Sequence, residues 1–496
     1  MGLPSRPKLV ARSSSTPFHF HGDAWSLDRK ALTVVGDHPI VDKWNDEPSP
    51  LRNKILGILA EQDVDWQAID ILRIGYNDER EKPVIVSISV SVHTSWETGS
   101  QVARECREAL VEHELGDVHC EIKESVLFNL ASSFAVLQQD SHPHSPNLHP
   151  HMYHLSDQLG TAIASRDKPS REGTKGIYLR RTDCEPDEIF ALTCRHVCYA
   201  DSEKDSRLPG KETLLRSKSV IQLPERTTKE LVDDLDEWRQ ESVKNLEDEE
   251  SKGECYQDRE RRLSKITKYQ QDIRDTDRLL QHFALRNALD TRVFGQVAYT
   301  SEYMVRTSEC LSDWCLIRLK ADFHERRLSE LSNRVYIAPP QSPLSCKAVV
   351  RIDNLEDDGT LHIQGTVAAS ELQNPKEKLI VGMRGRTSDL KFGIVNQVKS
   401  VTRRPFQDGR KFLSKECCIV AVGVSGEFTR PGDSGACVFD LNGRAVAMVT
   451  GGISREQASQ GGDNYGLNYA MDVTYATPME WLLEDMKACG LSMEIL

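Results

Sequence analysis

Ser434 stands in the run Arg430-Pro431-Gly432-Asp433-Ser434-Gly435-Ala436-Cys437, a hydroxyl flanked by two glycines ahead of an apolar stretch. A serine hydroxyl attacks carbonyl carbon well only when a base takes its proton. Two other segments supply what is missing. Ala191-Leu192-Thr193-Cys194-Arg195-His196-Val197 is a β-type run that ends on a histidine, and Ser312-Asp313-Trp314-Cys315-Leu316-Ile317-Arg318-Leu319 is an acid opening an apolar strand. Nucleophile, base and orienting acid together define acyl-transfer chemistry. The flanking glycines let the backbone turn tightly and aim the N–H groups of Gly432 and Ser434 at one point, where the oxyanion of a tetrahedral intermediate develops. A histidine at a strand end or an acid before a strand is commonly structural when met alone. The set of three carries the reading.

Those residues need strands to hold them, and the surrounding pattern provides them. Residues 160–164, 176–179 and 189–193 read as strands, and strand character resumes at Val293 and runs to a closing helix over Pro478 to Lys487. Between Thr227 and Leu289 the chain turns helical and highly charged. Leu231, Leu235, Trp238 and Leu246 fall on one face, and after a break near Gly253 so do Leu263, Ile266, Ile273, Leu280 and Phe283. This predicts an antiparallel helical hairpin whose stripe is buried between its own helices, leaving the strands independent of it. Upstream, residues 1–45 lack periodicity and read as a loose tail. Over 46–136, helical spacing at Leu51, Ile55 and Leu59, two β-rich runs (69–74 and 84–90), a helix at 99–113 and a short strand at 118–122 predict a small α/β domain. Residues 137–155, with His142, His144, His149, His151 and His154, read as a His/Pro-rich linker rather than a metal site, since no cysteine or carboxylate is interleaved at ligand spacing.

The three segments, in the order His, Asp, Ser, resemble the chymotrypsin-like (trypsin-fold) serine peptidases over about residues 156–488. That order differs from the subtilisin and α/β-hydrolase orders. The runs Arg444 to Gly452 and Val473 to Pro478 are similar to the family's cleft strand and to the end of its second barrel, and Val381 to Val395 resembles a hairpin of that barrel. Val197 stands where secreted members carry a cysteine, and no disulfide brackets the serine, as in intracellular fungal trypsin-like and HtrA-type relatives. The resemblance implies a mainly β double barrel with the helical hairpin inserted at 227–289. It implies a serine endopeptidase acting through His196, Asp313 and Ser434, with an oxyanion hole from Gly432 and Ser434 and no cofactor or metal. It puts Phe428 at the base of an apolar substrate pocket and Thr450 and Gly452 on the cleft strand. Asp433 matches an acid that some members pair with a newly cut N-terminal amine; here the Arg430 side chain is the expected partner.

Composition narrows the alternatives. A net charge of −13 with no basic tract argues against nucleic acid, and no apolar run reaches the ~20 residues of a membrane span. Thirteen scattered cysteines and no signal-peptide pattern predict reduced thiols in the cytoplasm. Cys194, His196 and Cys198 alternate and would share one face of an extended strand, but a zinc site there lacks a fourth ligand. The substrate expected is a protein, with helices 227–289 as an arm for a protein partner or for self-association. The rival class is a non-catalytic scaffold of the same fold that uses the hairpin for binding.

Overall fold

The computed structural model describes residues 3, 5–16, 30–76, 79–130, 149–183, 188–200, 203, 205–251, 259–306, 309–324, 326–337, 352, 354–374, 378–405, 411–422, 427–454 and 471–496. Most of the strands pair antiparallel. Ile189–Cys194 is buried along its whole length and pairs with Trp314–Leu319, Phe190 opposite Arg318 and Cys194 opposite Trp314. Such continuous apolar runs suit strands covered on both faces. Around this pair an eight-stranded sheet runs in the order 493–495, 178–181, 189–194, 314–319, 293–300, 219–222, 162–165, 172–174.

The second sheet has thirteen strands. Six of them close on themselves: 411–421, 389–395, 380–385, 437–440, 445–454 and 473–478, the last pairing back to the first with Cys417 opposite Ala476. Closure leaves none of the six as an edge strand of that ring. The helix Met479–Ala488 follows, and its Met479, Leu482 and Met486 pack into the core of the first sheet.

The α/β unit expected over 46–136 is continuous with this ring. Its strand Trp66–Tyr76 pairs with Ser400–Pro405, Ile69 opposite Val401 and Ala68 opposite Thr402. Val398 and Val401 sit in its core beside Trp44, Ile55, Ile69 and Leu110. The strand Val84–Val90 lies between Trp66–Tyr76 and His119–Glu124, antiparallel to the first and parallel to the second. The parallel crossover needs the helix Trp96–Glu112, which starts where the Ser95 side chain accepts the Thr98 N–H.

Two expectations are corrected. Residues 1–45 are not wholly a loose tail: Leu9–Arg12 pairs with His119–Glu124, Lys30–Thr33 pairs with Trp66–Tyr76, and the helix Ile40–Asn45 buries Ile40, Val41 and Trp44. Strands of four residues that bury two side chains at most leave no period to read. The linker over 137–155 is no plain connector at its end, where His149–Tyr153 is helical and His151 packs edge-on to the Trp238 ring. Its His142 and His144 lie outside the described residues.

The helices Glu225–Ser251 and Arg259–Leu285 lie against each other. Leu235, Leu279 and Phe283 are buried with Leu223 at the root, while Leu263 is 53% exposed. The turn near Gly253 falls outside the described residues. Among the described residues no helix is long and apolar enough to cross a membrane.

Candidate active site

The pairing of the two central strands dictates where the acid and the imidazole meet. With Cys194 opposite Trp314, the next residues on each strand converge, and Arg195 N–H donates to the Asp313 carbonyl. The strand ends at Cys194, and Arg195–Cys198 makes one helical turn that rolls His196 over the end of the partner strand. Asp313 receives the His196 backbone N–H on Oδ1 at 3.1 Å and meets His196 Nδ1 with Oδ2 at 2.5 Å. A carboxylate only accepts, so Nδ1 carries the ring proton and Nε2 is left to accept. Ser434 Oγ lies 2.7 Å from that Nε2. Asp313 is braced from behind, since Asp485 of the closing helix accepts from Ser312 Oγ and from Trp314 Nε1 at 2.7 Å.

The serine turn is fixed from three sides. Gly432 has φ +111° and Gly435 φ +92°, conformations an L residue adopts only with strain. Thr174, from the first sheet, donates its N–H to the Ser434 carbonyl at 2.8 Å and its hydroxyl to the Gly432 carbonyl at 2.9 Å. Asp433 points away and accepts three backbone N–H groups: Thr387 at 2.8 Å and Ser388 at 3.1 Å on Oδ1, Arg430 at 2.8 Å on Oδ2. Burial raises its carboxyl above the usual range, and these hydrogen bonds oppose that rise. The Arg430 side chain is therefore not its partner: the guanidinium pairs with Glu427, and only the backbone of Arg430 reaches Asp433.

Cys198 does not join His196 on one face, because the helical turn separates them, and its thiol meets Cys315 instead. Cys194, His196 and Asp313 do bring ligand-type atoms within 4.8 Å of one another. Burial holds the Cys194 thiol well above its ordinary value, and it donates to the Val449 carbonyl at 3.2 Å. A thiol kept protonated and already hydrogen-bonded is a poor metal ligand.

Phe428 is buried in one core with Leu130, Ala436, Val449 and Met471. The Thr450 hydroxyl donates to the Tyr475 carbonyl at 3.4 Å. Gly452 pairs with Phe128 of a strand that the sequence does not predict, Val126–Asn129. This strand lies antiparallel along Ala445–Ser454, and the Gly432 N–H donates to the carbonyl of Leu130 just beyond it. The apolar run Val126-Leu127-Phe128 was its one sequence signal.

No protein-family model matches this chain, and no curated protein matches it. Among solved structures, a chymotrypsin of Cellulomonas bogoriensis is similar at a TM-score of 0.23 and 16% identity, over 41% of this chain and 75% of that one.

Proposed function

We propose that this chain is a serine endopeptidase on a trypsin-like double β-barrel, the closed ring of six strands forming the second barrel. The observation that carries the reading is the unbroken run from Asp313 through His196 to Ser434, at 2.5 and 2.7 Å, beside a turn with glycine on both sides of the serine. In this reading Ser434 Oγ attacks the scissile carbonyl while its proton passes to His196 Nε2. Asp313 stabilises the imidazolium, and the N–H groups of Gly432 and Ser434 hold the oxyanion. His196 then gives the proton to the departing amine, and water repeats the sequence on the acyl-enzyme.

The pocket over Phe428 suits an apolar side chain. Gly452 and the backbone of Thr450 pair with the substrate strand. Asp433 needs no freed amine in this arrangement, because backbone N–H groups already satisfy it. Free thiols at the described cysteines suit a reducing, cytoplasmic setting. The helical hairpin serves as the arm that meets a protein partner or a second copy.

Labelling with a fluorophosphonate probe tests the chemistry. Because Leu130 fills the pocket, the probe is applied to wild type and to Leu130→Ala, each beside its Ser434→Ala counterpart. Label at Ser434 that is lost with Ser434→Ala and reduced by His196→Ala is the expected result. No label at Ser434 in a folded Leu130→Ala protein would falsify the assignment.

A further inference from the structure

The cleft of this enzyme is filled by its own chain, in the manner of a bound substrate. Val126–Asn129 adds to the edge of Ala445–Ser454 with Asn129 opposite Gly451, Phe128 opposite Gly452 and Leu127 opposite Ile453. The approach is close: a Cβ on Gly451 would lie 2.7 Å from the Phe128 carbonyl oxygen. Two residues past Phe128, Leu130 is fully buried against Phe428 and Val449, and its carbonyl accepts the N–H of Gly432. That N–H is one of the two assigned to the oxyanion. Ser434, His196 and Asp313 are 0%, 1% and 0% exposed, as expected of a cleft already occupied.

The strand is held in place by the N-terminal unit and by the strand Ser400–Pro405 that pairs with that unit. Ser125 N–H donates to the Val90 carbonyl at 3.2 Å, Leu127 N–H donates to Gln67 Oε1 at 2.7 Å, and Arg404 donates to Asn129 Oδ1. Peptides that add a strand to a sheet edge gain affinity from main-chain hydrogen bonds and specificity from pockets for side chains. Both elements are present here. A carbonyl held by an oxyanion donor, beside a serine hydrogen-bonded to its base, is the ground state of acyl transfer.

We infer that the enzyme's first substrate is itself, and that it cuts the peptide bond joining Leu130 to Ala131. This rests on the reading of the chain as a serine endopeptidase. Ser434 Oγ adds to the Leu130 carbonyl carbon as its proton moves to His196. The C–N bond to Ala131 breaks, and the Ala131 nitrogen takes that proton and leaves as an amine. Water, deprotonated by His196, then hydrolyses the Leu130 ester, giving a Leu130 carboxylate and free Ser434. At the concentration of a purified sample the pieces 1–130 and 131–496 stay together afterwards, because Trp66–Tyr76 pairs with Ser400–Pro405 and the two share cores.

Intact-mass analysis of the purified full chain tests this. Wild type is expected as two polypeptides, one ending at Leu130 and one beginning at Ala131, eluting as a single particle under native conditions. Ser434→Ala and His196→Ala are expected as whole chains, and the Ser434→Ala chain stays whole when wild type is added, since the strand is delivered within one molecule. In cell-free synthesis, the fraction cut at a given time stays the same on dilution. Leu130→Val, which removes one methylene from the pocket and leaves the strand intact, slows the cut by about 10–200-fold. A wild-type chain that stays whole while the probe labels Ser434 in Leu130→Ala overturns self-cleavage and spares the peptidase reading. Cutting that persists in Ser434→Ala, or a cut at another bond, also overturns it. Loss of both labelling and cutting removes the peptidase reading itself.

Discussion

A carboxylate that accepts three backbone N–H groups holds three points of the chain at once, and Asp433 does so directly under the turn that carries Ser434. Asp433→Asn keeps the shape but turns one acceptor into a donor, so an N–H of Thr387, Ser388 or Arg430 then faces an N–H. One unmet buried group costs about 1–3 kcal/mol, to be read as a lower melting temperature. The turn relaxes with it, so in the Leu130→Ala background, where the cleft is open, kcat should fall more than KM rises with small peptide esters. Lys175 is a second residue with a legible cost. It is fully buried, donates to Gln222 at 3.2 Å, and burial lowers its ammonium to about 8 despite the pull of Asp157. Below pH 8 both folded and unfolded chains hold this proton, and the folded chain bears the penalty. Between about 8 and the ordinary 10.5 the unfolded chain still binds it and the folded chain does not, so stability rises with pH. Lys175→Met is expected to be more stable at pH 7 by roughly 2–4 kcal/mol and to lose that rise, as measured by urea unfolding at pH 7 and pH 10.

At the scale of elements, the helical hairpin is less independent than its sequence predicts. Its root carries Thr227, whose N–H and hydroxyl donate to the buried Glu172 at 3.1 and 2.9 Å, and Glu230, which pairs with Arg386 at 2.7 Å. Arg386 also pairs with Glu172 and is followed in the chain by Thr387, whose N–H binds Asp433. A linker that replaces only 236–278 keeps Leu235, Leu279 and both root residues, and should leave melting temperature and, in the Leu130→Ala background, peptide cleavage near those of the chain with its hairpin. Removing all of 227–289 strips partners from the buried Glu172 and Arg386, a loss of about 3–5 kcal/mol that calorimetry would register. The hairpin itself was legible because two long amphipathic helices repeat one signal many times. Its anchoring was not, because Glu230 and Arg386 are far apart in sequence and each reads as a solvated charge. The serine turn was legible for a related reason: Gly432 and Gly435 announce a backbone need that few other residues meet. The three N–H donors to Asp433 were invisible, since every residue has one and only the fold decides where they point. The helical turn at Arg195–Cys198 was likewise unreadable, because four residues give no period and the β-type run before it continues to Cys194 without a break.

Across the whole molecule, the ten cysteines among the described residues carry free thiols, and nine of those are buried. The melting temperature is therefore expected to be the same with and without strong reductant; loss of even one native disulfide would show as a drop of about 2–5 kcal/mol. The apparent division into tail, α/β unit and barrel also dissolves at this scale. Composition and periodicity are local, whereas the pairing of Ile69 with Val401 and the seating of Leu130 against Phe428 join positions hundreds of residues apart. That shared sheet has a consequence for the cut molecule. With the bond between Leu130 and Ala131 gone, the fraction of open clefts follows mass action, set by how the dissociation constant of the two pieces compares with their amount. Partners at low copy number drift apart and free Ser434, whereas abundant ones rejoin and cover it. On the proposed reading, abundance, rather than any modifying enzyme, then becomes the variable that exposes Ser434.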